Sequence, residues 1–199
     1  MPLGRFVFYA ATLGALLLAV RGIFLAPLPI EVSIGAVLSY VGIVMSGVLV
    51  LRLRVFADAV IGGPAGARGV ALTFDDGPDP VWTRDVLDTL DRRGARATFF
   101  VIGRKAEAHA DVVHEIVARG HTIGLHSYAH DRLFSLRTAR TVRRDLERGI
   151  AVLERITGER PVLFRPPIGH TNPVIAHRAA APQRTCSAMF RVSIMDAKS

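Results

Sequence analysis

Cysteine, lysine and aromatic residues are all scarce in this chain. One Cys among 199 residues excludes a disulfide framework and a cysteine-rich zinc site. Lysine occurs only at Lys105 and Lys198, so arginine carries the excess of 25 Lys and Arg over 17 Asp and Glu. No basic run is interleaved with aromatic residues, which argues against a nucleic-acid-binding protein.

The first quarter of the chain also lacks charge. Arg21 and Glu31 are the only charged residues between positions 6 and 51, whereas charge is dense from Arg52 onward. The nearly uncharged first part therefore has the composition of a membrane segment, and the charged remainder has that of a soluble domain. Residues 1–56 are predicted to form a membrane anchor.

Two apolar segments of this anchor, 6–20 and 32–51, are predicted to be transmembrane helices. The second has the length of about 20 residues that crosses about 30 Å of hydrocarbon. Pro27 and Pro29 are unfavourable inside a helix and predict the turn between the spans. A signal peptide, a single span and a buried hairpin are the alternatives.

The remainder of the chain has the pattern of an α/β domain. Residues 57–68 are rich in Gly and Ala and are predicted to be a linker. The predicted strands after it are 69–74, 97–102, 121–125 and 161–164, and the predicted helices are 83–93, 105–118 and 138–156. Strands separated by helices of this length favour parallel β-α-β units.

Polar side chains follow three of these strands, and the first cluster is the segment TFDDGP at 73–78. Two adjacent carboxylates at the end of an apolar strand require a cation or hydrogen-bond donors. Neighbours in an extended segment point to opposite sides, so Asp75 and Asp76 are predicted to have different partners. A plain turn is the alternative interpretation of Asp-Gly-Pro.

The second cluster is the segment HSYAH at 126–130. Two imidazoles at positions i and i+4 lie on one side of a helical turn and can bind one metal ion. A surface coincidence is the alternative unless a third ligand exists. Asp76 is the candidate for that ligand.

The third cluster is the segment RPPIGH at 165–170. Its two prolines fix the backbone, and Gly169 permits close approach of another group. An arginine on so rigid a loop is positioned to bind a carboxylate through two hydrogen bonds. An ordinary strand-exit loop is the alternative.

Taken in order, the three clusters resemble the motifs of the polysaccharide deacetylase family, the NodB-like domain of carbohydrate esterase family 4. TFDDGP matches the first motif of that family, HSYAH fits H-[ST]-x-x-H, and RPPIG fits R-x-P-x-G. The resemblance covers residues 69–181. It implies a distorted (β/α) barrel that hydrolyses N-acetyl groups on amino-sugar glycans.

The resemblance also implies a metal site. Asp76, His126 and His130 would bind a divalent metal ion, with zinc the expected one. Two histidines and one carboxylate form a chemically sensible shell for a catalytic zinc ion, because positions remain for water and substrate.

The same resemblance assigns the catalytic groups. Asp75 is implied to be the general base, and Arg165 is implied to hold it in place. Pro167, Ile168 and Gly169 belong to the loop beside the substrate, where the Ile168 backbone N–H would stabilise the oxyanion.

Two later motifs of the family do not follow Gly169: an Asp-Trp motif that buttresses the site, and a Leu-x-His motif whose His is the general acid. His170 and His177 are the only histidines left, and each stands at the wrong place in the order. Residues 182–199 form an atypical tail that differs in composition from the Arg- and Ala-rich sequence before it. We expect a truncation or frameshift near Ala181, which leaves the barrel incomplete at its C-terminus.

The sequence is compatible with three functions. The first is metal-dependent deacetylation of N-acetylated glycans, which acts on carbon–nitrogen bonds other than peptide bonds. The second is an inactive metal- or carbohydrate-binding remnant, and the third is hydrolysis of a non-sugar amide. The expected partners are an N-acetylated glycan and a membrane, and the sequence indicates no nucleic acid and no protein partner.

Flanking charge and expected function predict opposite sides of the membrane for the domain that follows the two spans. Arg5, Arg52 and Arg54 flank the two spans, and the positive-inside rule would place the following domain in the cytoplasm. The glycans of the family are cell-wall or exported material, which places the domain outside. We expect a bacterial cytoplasmic-membrane protein with an extracytoplasmic catalytic domain.

Overall fold

The computed structural model describes residues 1–59 and 69–179. The helices are α1 (Leu3–Phe24), α2 (Ile30–Leu49), α3 (Trp82–Arg92), α4 (Gly103–Ala108), α5 (Ala110–Ala118), α6 (Ala139–Thr157) and α7 (Pro173–Ala179), and the strands are β1 (Leu72–Gly77), β2 (Ala97–Val101) and β3 (Thr122–Leu125). Most of the predicted linker, the predicted domain end at 180–181 and the tail at 182–199 lie outside the described residues.

Helices α1 and α2 are long and apolar enough to cross a membrane, by length and composition. Gly47 is the one buried residue of the pair. The two helices contact each other, and the hydroxyl groups of Thr12 and Tyr40 lie 3.2 Å apart. An N-terminal signal sequence has the same length and composition, so these helices are candidates for an anchor.

The chain that leaves α2 folds back over the start of α1. Arg5 donates a hydrogen bond to the Asp58 carboxylate at 3.0 Å and another to the Val55 carbonyl oxygen at 3.2 Å. Ala57 and Ala59, inside the segment predicted to be a linker, are buried against Ala176 of α7. The first residues after the anchor are therefore packed against the α/β domain.

The strands form one parallel sheet in the order β1-β2-β3, so the predicted parallel α/β pattern is confirmed. The predicted strand at 161–164 is wrong, because only Phe164 forms a bridge, to Leu125 of β3. Two hydrogen bonds hold this bridge: Leu125 N–H donates to the Leu163 carbonyl, and Arg165 N–H donates to the Leu125 carbonyl. Pro161 and Pro166 lack an N–H, which limits the pairing to this short length.

The single helix predicted at 105–118 is wrong as well. The structure divides it into α4 and α5 at His109, whose backbone is not helical (φ −132°, ψ 54°). The break lets the two parts point differently: α5 buries Val112 and Ile116 in the core, while the start of α4 meets the loop after β3. Helix α7 was not predicted.

Helix α6 follows its sequence signals closely. The Thr138 hydroxyl accepts a hydrogen bond from the Thr141 N–H at 3.3 Å, as an N-cap residue does. The helix ends at Gly158, whose φ of 75° lies in the left-handed region that favours glycine. Its apolar face packs on the sheet, and the shared core includes Phe99, Leu125 and Leu153. Burial of these side chains fixes the sheet, and with it the edge at which its strands end.

Candidate metal centre and active site

A bulge in β1 presents the two aspartates. Phe74 pairs with Phe99 of β2 and Gly77 pairs with Val101, so β1 uses one residue more than β2 between these pairs. Asp75 and Asp76 occupy the bulge, and Asp76 has a φ of 66°. Bulges redirect side chains next to active sites. Here the bulge turns neighbouring carboxylates toward different groups, as the sequence predicted.

Asp76 faces two histidines at the carboxyl edge of the sheet. Its Oδ1 lies 3.0 Å from His130 Nε2 and 3.5 Å from His126 Nε2. One ligand atom from each of the three side chains lies within 4.8 Å of the others. A carboxylate and two imidazoles at this spacing fit a divalent metal ion. We call these three residues the triad.

The His126 ring is oriented by a backbone carbonyl. Its Nδ1 lies 2.7 Å from the Arg165 carbonyl oxygen, which requires a proton on Nδ1 and leaves the lone pair of Nε2 toward Asp76. Burial lowers the pKa of His126 below its ordinary value. The ring is therefore neutral at neutral pH, as a metal ligand must be.

The segment at 126–130 is not the helical turn that the histidine spacing predicted. Ser127 and His130 both have positive φ, 62° and 53°, which no helical turn contains. The Ser127 hydroxyl accepts a hydrogen bond from the His130 N–H at 2.9 Å, which closes the loop. The two imidazole centroids still lie 5.0 Å apart, so an irregular loop brings the rings together.

Asp75 is held by Arg165. One guanidinium nitrogen, Nη1, donates to both carboxylate oxygens at 2.6 and 2.8 Å and to the Thr73 hydroxyl at 3.2 Å. The guanidinium lies over the Phe100 ring of β2, 4.2 Å from its centroid. Arg165 therefore spans β2 to reach β1, and it is 7 % exposed.

The other nitrogens of this guanidinium, Nε and Nη2, are buried and have no hydrogen-bond partner among residues 1–59 and 69–179. A buried donor without an acceptor costs about 1–3 kcal/mol. Arg165 thus uses only part of its donor capacity for Asp75.

The loop after Arg165 has a strained backbone. Ile168 has a φ of 54° and an exposed side chain, Gly169 has a φ of 71°, and Pro167 is buried. Within the described part of the chain the Ile168 N–H donates to no acceptor. No hydrogen bond joins residues 167–169 to the triad in that part either. The structure therefore leaves a free amide at the position for which the family resemblance implies oxyanion binding.

Backbone strain is concentrated at this edge of the sheet. Five residues other than glycine have positive φ in the described ranges, and four of them are Asp76, Ser127, His130 and Ile168. Such conformations cost about 1–3 kcal/mol each and persist at functional sites where surrounding contacts impose them.

Two residues beside the triad were not predicted. Lys105 of α4 donates from Nζ to the Asp76 carbonyl oxygen at 2.8 Å. Asp145 of α6 accepts hydrogen bonds from the Tyr128 and Ala129 amides at 2.8 and 3.0 Å. In the sequence, Lys105 is marked only by the rarity of lysine, and Asp145 only by its place next to the apolar Leu146. Neither signal indicates a contact with another part of the chain.

A parallel α/β sheet whose carboxyl edge carries a two-histidine, one-carboxylate triad beside an Asp–Arg pair is typical of a metal-dependent hydrolase. Residues 62–184 match the sequence profile of the polysaccharide deacetylases. The chain belongs to the polysaccharide deacetylase family.

Named relatives agree with this assignment. A peptidoglycan-N-acetylglucosamine deacetylase of Bacillus cereus is 39% identical over 107 residues, which are 54% of this chain and 38% of the relative. A chitooligosaccharide deacetylase of Sinorhizobium fredii is 42% identical over 90 residues, which are 45% of this chain and 40% of the relative. The chain spans well under half the length of these relatives.

Solved structures show the same fold. A crystal structure of a peptidoglycan N-acetylglucosamine deacetylase has a TM-score of 0.62 and 33% identity, and the match covers 66% of this chain and 60% of that one. A family 4 acetyl xylan esterase from Clostridium thermocellum, solved with a cobalt ion, has a TM-score of 0.50 and 38% identity over 53% of this chain and 51% of that one.

Proposed function

We propose that this protein is a metal-dependent deacetylase of N-acetylated amino-sugar glycans. One observation carries the proposal: adjacent carboxylates diverge at the β1 bulge, so that Asp76 joins two histidines while Asp75 is held by Arg165. A general base close to a metal site is what hydrolysis of an acetyl group needs, and this arrangement supports such a pair.

The metal fits the donor set of this chain. Asp76, His126 and His130 would hold it, since their ligand atoms converge and the His126 lone pair is directed by the Arg165 carbonyl. A divalent ion at this position supplies Lewis acidity and lowers the pKa of water. Zinc is the metal we propose, because two histidines and one carboxylate are ligands that it prefers. The cobalt ion bound to the related esterase supports a divalent metal.

The protein supplies the proton acceptor and the oxyanion donor. Asp75 accepts the proton of the attacking water, and the two hydrogen bonds from Arg165 keep its carboxylate in one orientation. The free Ile168 N–H, in the rigid loop with Pro167 and Gly169, donates to the oxygen that becomes negatively charged.

We further propose the deacetylase (β/α) barrel as the fold around this site. The TM-score of 0.62 with a solved deacetylase and the parallel sheet support it. The buried, unpaired Nε and Nη2 of Arg165 are consistent with a buttressing acidic residue, such as that of the family's Asp-Trp motif. The described residues supply no acceptor for them.

The substrate is proposed from the relatives, which are named for peptidoglycan and chitooligosaccharide. Acetate release should be measured with N-acetylglucosamine oligomers, peptidoglycan and a set of non-sugar N-acetyl amides. We expect release from the first two and at least about 100-fold slower release after Asp75→Asn. Zinc binding without acetate release would instead favour a binding remnant, and release only from non-sugar amides would favour the third function.

We propose that α1 and α2 anchor the protein in the bacterial cytoplasmic membrane, with the deacetylase domain on the outer side. Their length and composition, together with the peptidoglycan named for the relatives, support this location. Reporter fusions placed after Arg54 test the side. Activity of an extracytoplasmic reporter is expected, and activity of a cytoplasmic reporter alone would contradict the proposal.

A further inference from the structure

The backbone between the two histidines of the triad is held from both sides. On one side, the N–H groups of Gly103 and Arg104, at the start of α4, donate to the carbonyl oxygens of Ser127 and Tyr128 at 2.9 and 3.1 Å. These bonds satisfy the acceptors of the loop. They leave its N–H groups to be satisfied from elsewhere.

On the other side stands Asp145 of α6. Its Oδ1 accepts from the Tyr128 N–H at 2.8 Å, and its Oδ2 accepts from the Ala129 N–H at 3.0 Å. One carboxylate thus binds two consecutive amides, one oxygen to each. Hydrogen bonds to a charged acceptor are roughly twice as strong as those between neutral groups.

Close packing fixes this arrangement. A Cβ added at Gly149, one turn after Asp145, would lie 2.7 Å from Leu125 Cδ1 and 3.4 Å from the Tyr128 nitrogen. A Cβ at Gly103 would lie 2.8 Å from Tyr128 Cδ2 and 3.2 Å from the Gly149 Cα. Helices α4 and α6 therefore approach the loop as closely as backbones allow, because glycine stands at both contacts.

The loop needs this support because it is strained. Ser127 and His130 both have positive φ, which non-glycine residues adopt only when surrounding contacts impose it. The amides of Tyr128 and Ala129 lie between these two residues. Hydrogen bonds to them hold the strained conformation, and with it the separation of the two imidazoles.

We propose that Asp145 is a positioning residue of the metal centre, which sets the spacing of His126 and His130 through the backbone between them. The inference rests on the proposed metal site and adds a residue to it. Asp145 touches neither the reacting groups nor the triad side chains. Groups that orient metal ligands in this way typically contribute 10–100-fold to metal affinity.

The test measures Zn²⁺ affinity and the visible spectrum of bound Co²⁺ in the full chain in detergent, for wild type, Asp145→Asn and Asp145→Ala. Asn has nearly the shape of Asp but offers only one acceptor oxygen, so we expect Asp145→Asn to bind zinc about tenfold more weakly than wild type. Ala offers no acceptor, so we expect Asp145→Ala to bind zinc about 100-fold more weakly. The Co²⁺ bands should shift in both variants. Glu154→Gln is the matched control and should bind zinc as wild type does. Glu154 lies on the same helix as Asp145 and forms an exposed ion pair with Arg160.

The outcomes separate the two proposals. No metal binding by wild type would contradict the proposed function and the inference that depends on it. Binding by wild type with unchanged affinity and Co²⁺ spectrum in folded Asp145→Asn would overturn the inference alone. Because Asn is isosteric, that variant carries the test if Ala prevents folding, and circular dichroism confirms that it is folded.

Discussion

A single nitrogen of Arg165 holds both carboxylate oxygens of Asp75, at 2.6 and 2.8 Å. The backbone of the same arginine has a second function, since its carbonyl oxygen accepts the hydrogen bond of His126 Nδ1 at 2.7 Å. Residue 165 therefore contacts the proposed base through its side chain and a proposed metal ligand through its backbone. Substitution of the side chain separates the two functions.

Arg165→Met is predicted to reduce kcat for acetate release by about 100-fold, the lower end of the range for a general base. Zinc affinity should stay near that of wild type, because the carbonyl that orients His126 is retained. Arg160→Met, which removes an exposed ion pair with Glu154, is the control. A loss of zinc affinity equal to the loss of kcat would contradict separate side-chain and backbone functions.

Substitutions of the two adjacent aspartates are predicted to have different effects. Asp75→Asn should lower kcat by about 10²–10⁴-fold with zinc still bound, because a proton acceptor is lost. Asp76→Asn should lower zinc affinity, because one of three ligands loses its charge. Isothermal titration with zinc and an acetate assay on both variants check this. Identical behaviour of the two would contradict the divergence of the carboxylates at the bulge.

Folding stability is predicted to fall as pH drops below about 6.5, the ordinary pKa of histidine. Burial lowers the pKa of His121, whose Nδ1 accepts from the Ala97 N–H at 3.3 Å and whose Nε2 is buried without a partner in the described ranges. The unfolded chain therefore binds a proton that the folded chain resists. The stabilisation is complete above the unfolded pKa and declines as pH falls toward the folded one.

Thermal melts between pH 7 and pH 5 measure this effect. His121→Asn should melt with a smaller dependence on pH than wild type does. An unchanged pH dependence in His121→Asn would rule out His121 as the source.

Gly149→Ala is predicted to lower the free energy of unfolding by about 1–3 kcal/mol, because its Cβ would overlap Leu125 at 2.7 Å. It should also weaken zinc binding, since it pushes α6 away from Tyr128. Urea unfolding and zinc titration provide the two readings. Arg143→Ala, on the exposed face of α6, should change stability by less than about 0.5 kcal/mol. A stable Gly149→Ala variant would show that the contact is not tight.

The residues of this site were predictable from the sequence, but the contacts that hold them in place were not. Asp75 and Asp76 lie near the end of β1, His126 directly follows β3, and Arg165 follows the residue that bridges to β3. In a parallel sheet the carboxyl ends of the strands meet at one edge. Their convergence was therefore predictable from order alone. The resemblance to a family added the roles, which the spacing of residues does not contain.

Features that depend on pairing between distant segments were not predictable. The β1 bulge exists only relative to β2, and the strained loop at 126–130 depends on contacts with α4 and α6. Histidine spacing predicted a helical turn there, and that was wrong. Asp145 lay among ordinary helix residues, because its partners are backbone amides that carry no sequence signal.

The prediction of a fourth strand was wrong because it relied on apolar content and ignored the prolines nearby. Its residues are apolar, but Pro161 and Pro166 remove donors at both ends, and only the bridge from Leu125 to Phe164 remains. That bridge still suffices for the site, since the Arg165 N–H donates to the Leu125 carbonyl and so holds Arg165 beside the end of β3. The position of a functional residue can therefore be correct where the element carrying it is not.

Acetate release from N-acetylglucosamine oligomers, measured before chelation, after chelation and after zinc is restored, tests whether this protein is a metal-dependent deacetylase. We predict acetate release by wild type, loss of release when the metal is removed, recovery when zinc is restored, and no recovery in Asp76→Asn. Release that persists after complete removal of metal, or no release from zinc-loaded wild type, would contradict it.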